Sequence, residues 1–112
     1  MIYGELDLSQ IGIDIYKTEL IVLSKNKTNT IDFLLDEFDA SGYVSIVFTI
    51  RNSIEGSPVF SITDLPLQTE QLITITAEQS SLIKNGAYYG FALSDGENNT
   101  KVLDTGRIIF NV

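Results

Sequence analysis

The sequence predicts an all-β protein, an antiparallel sandwich carrying one short helical turn. Three observations point there. Its apolar set is rich in Ile, Val, Phe and Tyr, residues that pack well on a pleated surface. Apolar residues recur with period two over short runs, the pattern of a strand with one buried face. Polar turn signals separate these runs, giving eight or so short strands at a spacing typical of sandwiches and barrels. With 112 residues the chain makes one domain around one core.

Taken in order, Ile11, Ile13 and Ile15 alternate with Gly12, Asp14 and Tyr16, a half-buried strand. ELIVLS at 19–24 and TIDFLL at 30–35 flank the polar turn NKTN at 26–29, which predicts a hairpin. DEFDASG at 36–42 is a loop by its Asp, Ser and Gly content. VSIVFTIR at 44–51 is the clearest strand, with Val44, Ile46, Phe48 and Ile50 on one face and Ser45, Val47, Thr49 and Arg51 on the other. A face of four large apolar residues is worth about 6–12 kcal/mol of transfer free energy before entropy is subtracted.

NSIEGS at 52–57 is a loop, and Pro58 opens a short strand to Ile62 that suits a sheet edge, because proline lacks the N–H a central ladder needs. After an irregular stretch at 64–70, LITIT at 72–76 resumes the β pattern. Thr76 and Gln79 have the spacing of a capping box, so a helical turn begins there. It stays short, because Asn85-Gly86 favours a reversal with positive φ. AYYGFAL at 87–93 puts Tyr88, Gly90 and Ala92 on one face and Tyr89, Phe91 and Leu93 on the other. DGENNT at 95–100 is a hairpin tip, and two final strand pieces, 101–103 and 107–112, are joined around Gly106 as a bulge or bend.

Composition excludes much chemistry. The chain has no cysteine and no histidine, which removes disulfides, thiolate catalysis, Cys/His zinc sites and the Ser-His-Asp arrangement. The default acid–base group near neutral pH is missing too. No catalytic residue, metal ligand or cofactor site is expected, and the chain reads as not an enzyme. Fifteen acidic residues against seven basic ones give a formal charge of −8, which disfavours nucleic acid and anionic membranes as partners. The opening MIYGELDLSQIG lacks the basic start and long apolar core of a signal peptide, so the cytoplasm is the expected place of synthesis and residence.

The acidic group Asp32, Asp36, Glu37 and Asp39 has the oxygen chemistry that calcium prefers. It lacks the spacing of a liganding loop, and Phe38 interrupts it, so it reads as solvated. The tip at 95–99 reads likewise. Asn26 and Asn98 each begin a glycosylation-type triplet, which here marks a surface loop. Tyr89 reads as core, and Tyr88 as open to solvent or a ligand. The arm at 1–10 alternates apolar and polar residues. Ile2, Tyr3, Leu6 and Leu8 are candidate interface residues, because such an arm packs as a first strand or adds to a neighbour's sheet edge.

The pattern from VSIVFTIR through ITI, AEQSSLIKNG and AYYGFAL to GRIIFNV resembles small Ig-like domains of tailed-bacteriophage virion proteins. It is similar in particular to the N-terminal domains of upper baseplate proteins and to related tail or capsid-surface modules. Leu82, Gly86, Tyr88, Gly106 and Ile108 stand where that pattern places its leucine, turn glycine, tyrosine, pre-strand glycine and final strand. KTELIVLSKNKTNTIDFLLDE looks like the matching opening hairpin. Upper baseplate proteins continue into a coiled coil, whereas this sequence stops at Val112, which fits a stand-alone accessory. The resemblance implies an Ig-like sandwich that acts by docking: a capsid decoration, head-fibre or tail/baseplate protein assembled in a bacterial host's cytoplasm. Its expected partners are other virion proteins and further copies of itself, a homo-oligomer or a multicopy array. The alternative is a carbohydrate-binding module for a cell-surface glycan, using an exposed aromatic near Tyr88 or Tyr43 beside the acidic loop.

Overall fold

Alternation along the strands places two sheets face to face, and the computed structural model, which describes residues 19–111, shows how they connect. Seven strands occur among these residues: β1 (Glu19–Ser24), β2 (Asn29–Leu34), β3 (Ser45–Arg51), β4 (Pro58–Leu65), β5 (Glu70–Ile75), β6 (Ala87–Ser94) and β7 (Thr100–Asn111). A helix of under two turns, α1 (Ala77–Leu82), joins β5 to β6. Five strands form one sheet in the order β1-β7-β6-β3-β4, and β2 pairs with β5 in a second. The pairings are antiparallel except β1 with β7, which run parallel. Among the described residues the chain is therefore an all-β sandwich with one short helical turn.

The core lies between the sheets. Ile46, Phe48 and Ile50 of β3 and Phe91 and Leu93 of β6 are fully buried, with Tyr89 nearly so. From the small sheet Phe33 meets them, its ring centroid 4.9 Å from Phe91, 5.3 Å from Tyr89 and 5.7 Å from Phe48. Centroid separations in this range are those aromatic pairs prefer, each adding about 0.5–1.5 kcal/mol beyond area burial. Ile73 and Ile75 of β5 complete the small sheet's inner face.

Three expectations need correction. The 19–35 hairpin does not form: β1 joins β7, while β2 crosses to the other layer to pair with β5. The Asn29 side chain makes that crossing possible. Its Oδ1 accepts from the Ser24 N–H at 2.9 Å and its Nδ2 donates to the Ser24 carbonyl at 3.0 Å, so one amide stands in for a strand partner. Val44 is not core but 65% exposed, because β3 begins one residue later and Val44 lies against the tip at Gly96. The last strand is continuous through Gly106, and the ladder irregularity falls where Phe91 faces Asp104 and Ala92 faces Val102, leaving Leu103 as the extra residue. Gly106 serves another purpose: a Cβ there would sit 2.4 Å from the Tyr89 ring. At the end of the helix Leu82 is exposed and Ile83 is buried. The strand expected over residues 11–15 lies outside the described residues.

Other readings hold. Thr76 Oγ1 accepts from the Gln79 N–H and Gln79 Oε1 accepts from the Thr76 N–H, a reciprocal capping box. Gly86 has φ of +89°, the left-handed turn that Asn85-Gly86 predicts. β4, opened by Pro58, is an edge strand. At the far end of α1 the Lys25 ammonium donates to the carbonyls of Ser81 and Ile83, a favourable place for a cation. Gln71, the buried polar residue of β5, is satisfied by donating to the Pro66 and Gln68 carbonyls.

Candidate functional site

The strands that bury Phe48 and Phe91 on one face must present their alternate residues on the other. Register sets those residues in three rows. Val47, Ala92 and Val102 form the first, and Thr49, Gly90 and Thr105 the second. Arg51, Tyr88 and Arg107 form the third. Small residues at the centre, with no Cβ at Gly90, leave a shallow depression of about 560 Å³. Ile54, from the loop between β3 and β4, and Val102 stand on its rim, 69% and 67% exposed. The depression is an apolar floor with one charged end.

That charged end is organised. The two arginines of the chain both stand directly across from Tyr88, one on each neighbouring strand. The Arg107 guanidinium lies 4.1 Å from the Tyr88 ring centroid, a cation–π stack, and its Nε donates to the Gly86 carbonyl at 3.0 Å. This holds the guanidinium over the ring while its terminal nitrogens have no hydrogen-bond partner among the described residues. Arg51 is exposed and has no ion-pair partner among them. Among the described residues no carboxylate lines the depression. What such a surface offers is contact area, two threonine hydroxyls, the Tyr88 phenol and two permanent positive charges.

The sequence candidates scatter. Ile2, Tyr3, Leu6 and Leu8 lie outside the described residues. Asp32 sits exposed on the outer face of β2, while Asp36, Glu37 and Asp39 lie exposed on the following loop. Among the described residues no three carboxylates gather closely enough to hold a metal ion. Asp39 accepts from the Ser41 N–H, and that bond holds its carboxyl below the usual range. Asp95 organises the hairpin tip, accepting from the Glu97 N–H, the Asn99 N–H and the Asn99 side-chain amide. The bond from Glu97 contributes most to lowering its carboxyl's pKa, followed by the Asn99 side chain. Tyr89 is core, Tyr43 packs partly buried at the core's margin, and Tyr88 is half-buried.

The arginine pair was missed for a physical reason. Alternation puts Arg51 and Tyr88 on outer faces, but only the β6–β7 register brings Arg107 to the same row, and a bulge within that ladder hides the register from the sequence.

No protein-family model matches the chain, and no curated protein sequence does. Among solved structures it is similar to the Ig-like domain of mouse leukocyte-associated immunoglobulin-like receptor 1, crystallised as a strand-swapped dimer. The TM-score is 0.50 at 15% identity, over 89% of this chain and 96% of that one. This likeness is one of fold: the chain is an Ig-like β-sandwich.

Proposed function

We propose that this chain is a non-enzymatic docking protein of a bacteriophage particle, a capsid decoration, head-fibre or tail/baseplate accessory assembled in the host cytoplasm. One observation carries the docking part: the outer face of the large sheet joins exposed Ile54 and Val102 to a small-residue floor, a concave apolar surface with nothing among the described residues covering it. The particle follows from the resemblance of the 44–112 pattern to virion Ig-like domains. Partners are other virion subunits, and multiple copies make weak single contacts effective through avidity. The arm with Ile2, Tyr3, Leu6 and Leu8 supplies a second contact in this reading.

The test is particle association. In a strain carrying the gene, the chain is expected in the particle band of a density gradient after induction. Ala92→Arg, which fills the depression, is expected to remove it from that band without changing its circular dichroism. Recovery of the unaltered chain only as free protein overturns the reading. A second reading, a carbohydrate-binding module, is favoured by the half-exposed Tyr88 ring in the row beside the hydroxyls of Thr49 and Thr105. Binding on a glycan array, repeated with chelator, distinguishes it; no binding in either condition ends it.

A further inference from the structure

From the row Arg51–Tyr88–Arg107 we infer the chemistry of the partner: an extended acidic segment of another protein, seating one or two carboxylates between the guanidiniums and an apolar side chain over Gly90. This rests on the docking reading above and adds what selects the occupant. The chain has only two arginines, and the sheet register places both beside one tyrosine on a protein whose formal charge is −8. Their backbones lie two strand spacings apart, roughly 10 Å, a gap that two long side chains close over a carboxylate or over two acids on one strand. Arg107 is held in advance by its stack on Tyr88 and its bond to Gly86, so little side-chain freedom is lost when it binds.

Charge also argues against the other occupants. A second copy docked on this face about a two-fold axis brings four guanidiniums together, and among the described residues no carboxylate lies in the depression to separate them. An anionic bilayer or a nucleic acid meets the whole acidic surface at once. An acidic peptide strand meets the arginines at contact range, while charges beyond about 8 Å are screened at physiological salt. The exposed Ile54 and Val102 and the floor of Val47 and Ala92 favour a partner with apolar side chains over a sugar, whose ring of hydroxyls would meet polar groups only at Thr49, Thr105 and the arginine–tyrosine row.

The experiment is an NMR titration of the full ¹⁵N-labelled chain with a synthetic dodecapeptide holding two glutamates among leucines and serines. Glutamine and lysine versions of the peptide and a heparin-derived hexasaccharide are run in parallel. The glutamate peptide is expected to shift Thr49, Arg51, Tyr88, Gly90, Thr105 and Arg107, binding about ten-fold more tightly than the glutamine peptide. Arg51→Ala is expected to weaken it about five-fold and Arg51→Glu to abolish the preference; Arg51 is exposed, so both variants fold. Arg107→Lys keeps the charge, loses the planar stack and is expected to fall between. Equal binding of the glutamine peptide at these residues overturns the inference while leaving the docking reading intact. If no peptide perturbs the face, both fail. Shifts caused by the hexasaccharide and not by the glutamate peptide overturn the inference in favour of a glycan.

Discussion

Tyr88 and Tyr89 are neighbours in the chain and belong to different regions of the molecule. Tyr89 is 2% exposed, ringed by Phe33, Phe48 and Phe91 and lying over Gly106. Tyr88 is half-buried, with a guanidinium against its ring. The same contrast runs along β3 and β6, where one face is aromatic and dry and the other small, apolar and open. A strand's period decides which side each residue takes. What a side does depends on the residues that register brings beside it, and those come from distant segments. The inner face holds the fold, and the outer face is left uncovered among the described residues.

The sharpest way to break this division is to cut into each face. Phe48→Ala or Phe91→Ala is expected to cost about 3–5 kcal/mol, because a fully buried ring leaves a cavity as well as losing its transfer free energy. Ala92→Ser, on the opposite face of the same strand, is expected to stay within about 0.5 kcal/mol. Urea unfolding midpoints at constant slope measure both. Comparable losses on the two faces would mean the outer face is structural.

Glycines sharpen the comparison at the next level. A Cβ at Gly106 would lie 2.4–2.5 Å from two ring atoms and the hydroxyl oxygen of Tyr89, and that ring is hemmed in by three others. Gly106→Ala is therefore expected to destabilise by about 1–3 kcal/mol, as overpacking does. At Gly90, on the open face, the nearest atoms to a Cβ are 3.5 and 3.6 Å away, ordinary contacts. Gly90→Ala is expected to be neutral or to stabilise by up to about 1 kcal/mol, since alanine restricts the unfolded chain. Thermal unfolding of the pair gives the answer, and a harmless Gly106→Ala would show that the Tyr89 ring has room to move.

Local chemistry was legible in the sequence, and long-range pairing was not. The capping box needed only Thr76 and Gln79 three residues apart, and both hydrogen bonds form. Alternation assigned Tyr88 and Tyr89 to their faces, and Pro58 marked an edge. The β1–β2 hairpin failed because a four-residue polar turn between two apolar runs looks the same whether the chain folds back or changes sheets. The device that decides, the Asn29 amide serving both polar groups of Ser24, has no signature beyond an asparagine. Gly106 was recognised as special for the wrong reason: its neighbour across the ladder, not its own backbone, requires the missing side chain. Arg107 shows the same limit at the candidate site.

The helix lies at the edge of the comparison, and its cap tests how far the inner face depends on it. Thr76→Ala removes the acceptor for the Gln79 N–H and is expected to cost about 1 kcal/mol. Restoration by Thr76→Ser or Thr76→Asp, read by the same unfolding midpoints, identifies the loss as capping. If Thr76→Ala leaves stability unchanged, burial of Ser80 and Ile83 holds the turn without its cap.

The smallest effect belongs to the loops, which serve neither face. Asp95 and Asp39 both have carboxyls held below the ordinary range by hydrogen bonds donated to the ionised form, from Glu97 and from Ser41 respectively. When the folded value is the lower one, the unfolded chain takes up the proton first as pH falls. These bonds therefore stabilise fully above the unfolded value, near about 4. The contribution disappears as pH drops through the lowered folded value. Carboxyl ¹³C shifts are expected to show Asp95 titrating below the ordinary aspartate range, whereas an aspartate titrating at or above about 4 would contradict the hydrogen-bond account. Asp95→Asn keeps an acceptor for the turn, so it is expected to leave neutral-pH stability nearly unchanged and to flatten the acid limb of the stability profile. Asp39 is exposed and Asp95 lies half-buried at a surface tip, so the change is small, and a variant that lost most of its stability at neutral pH would move the tip from the periphery into the machinery of the fold.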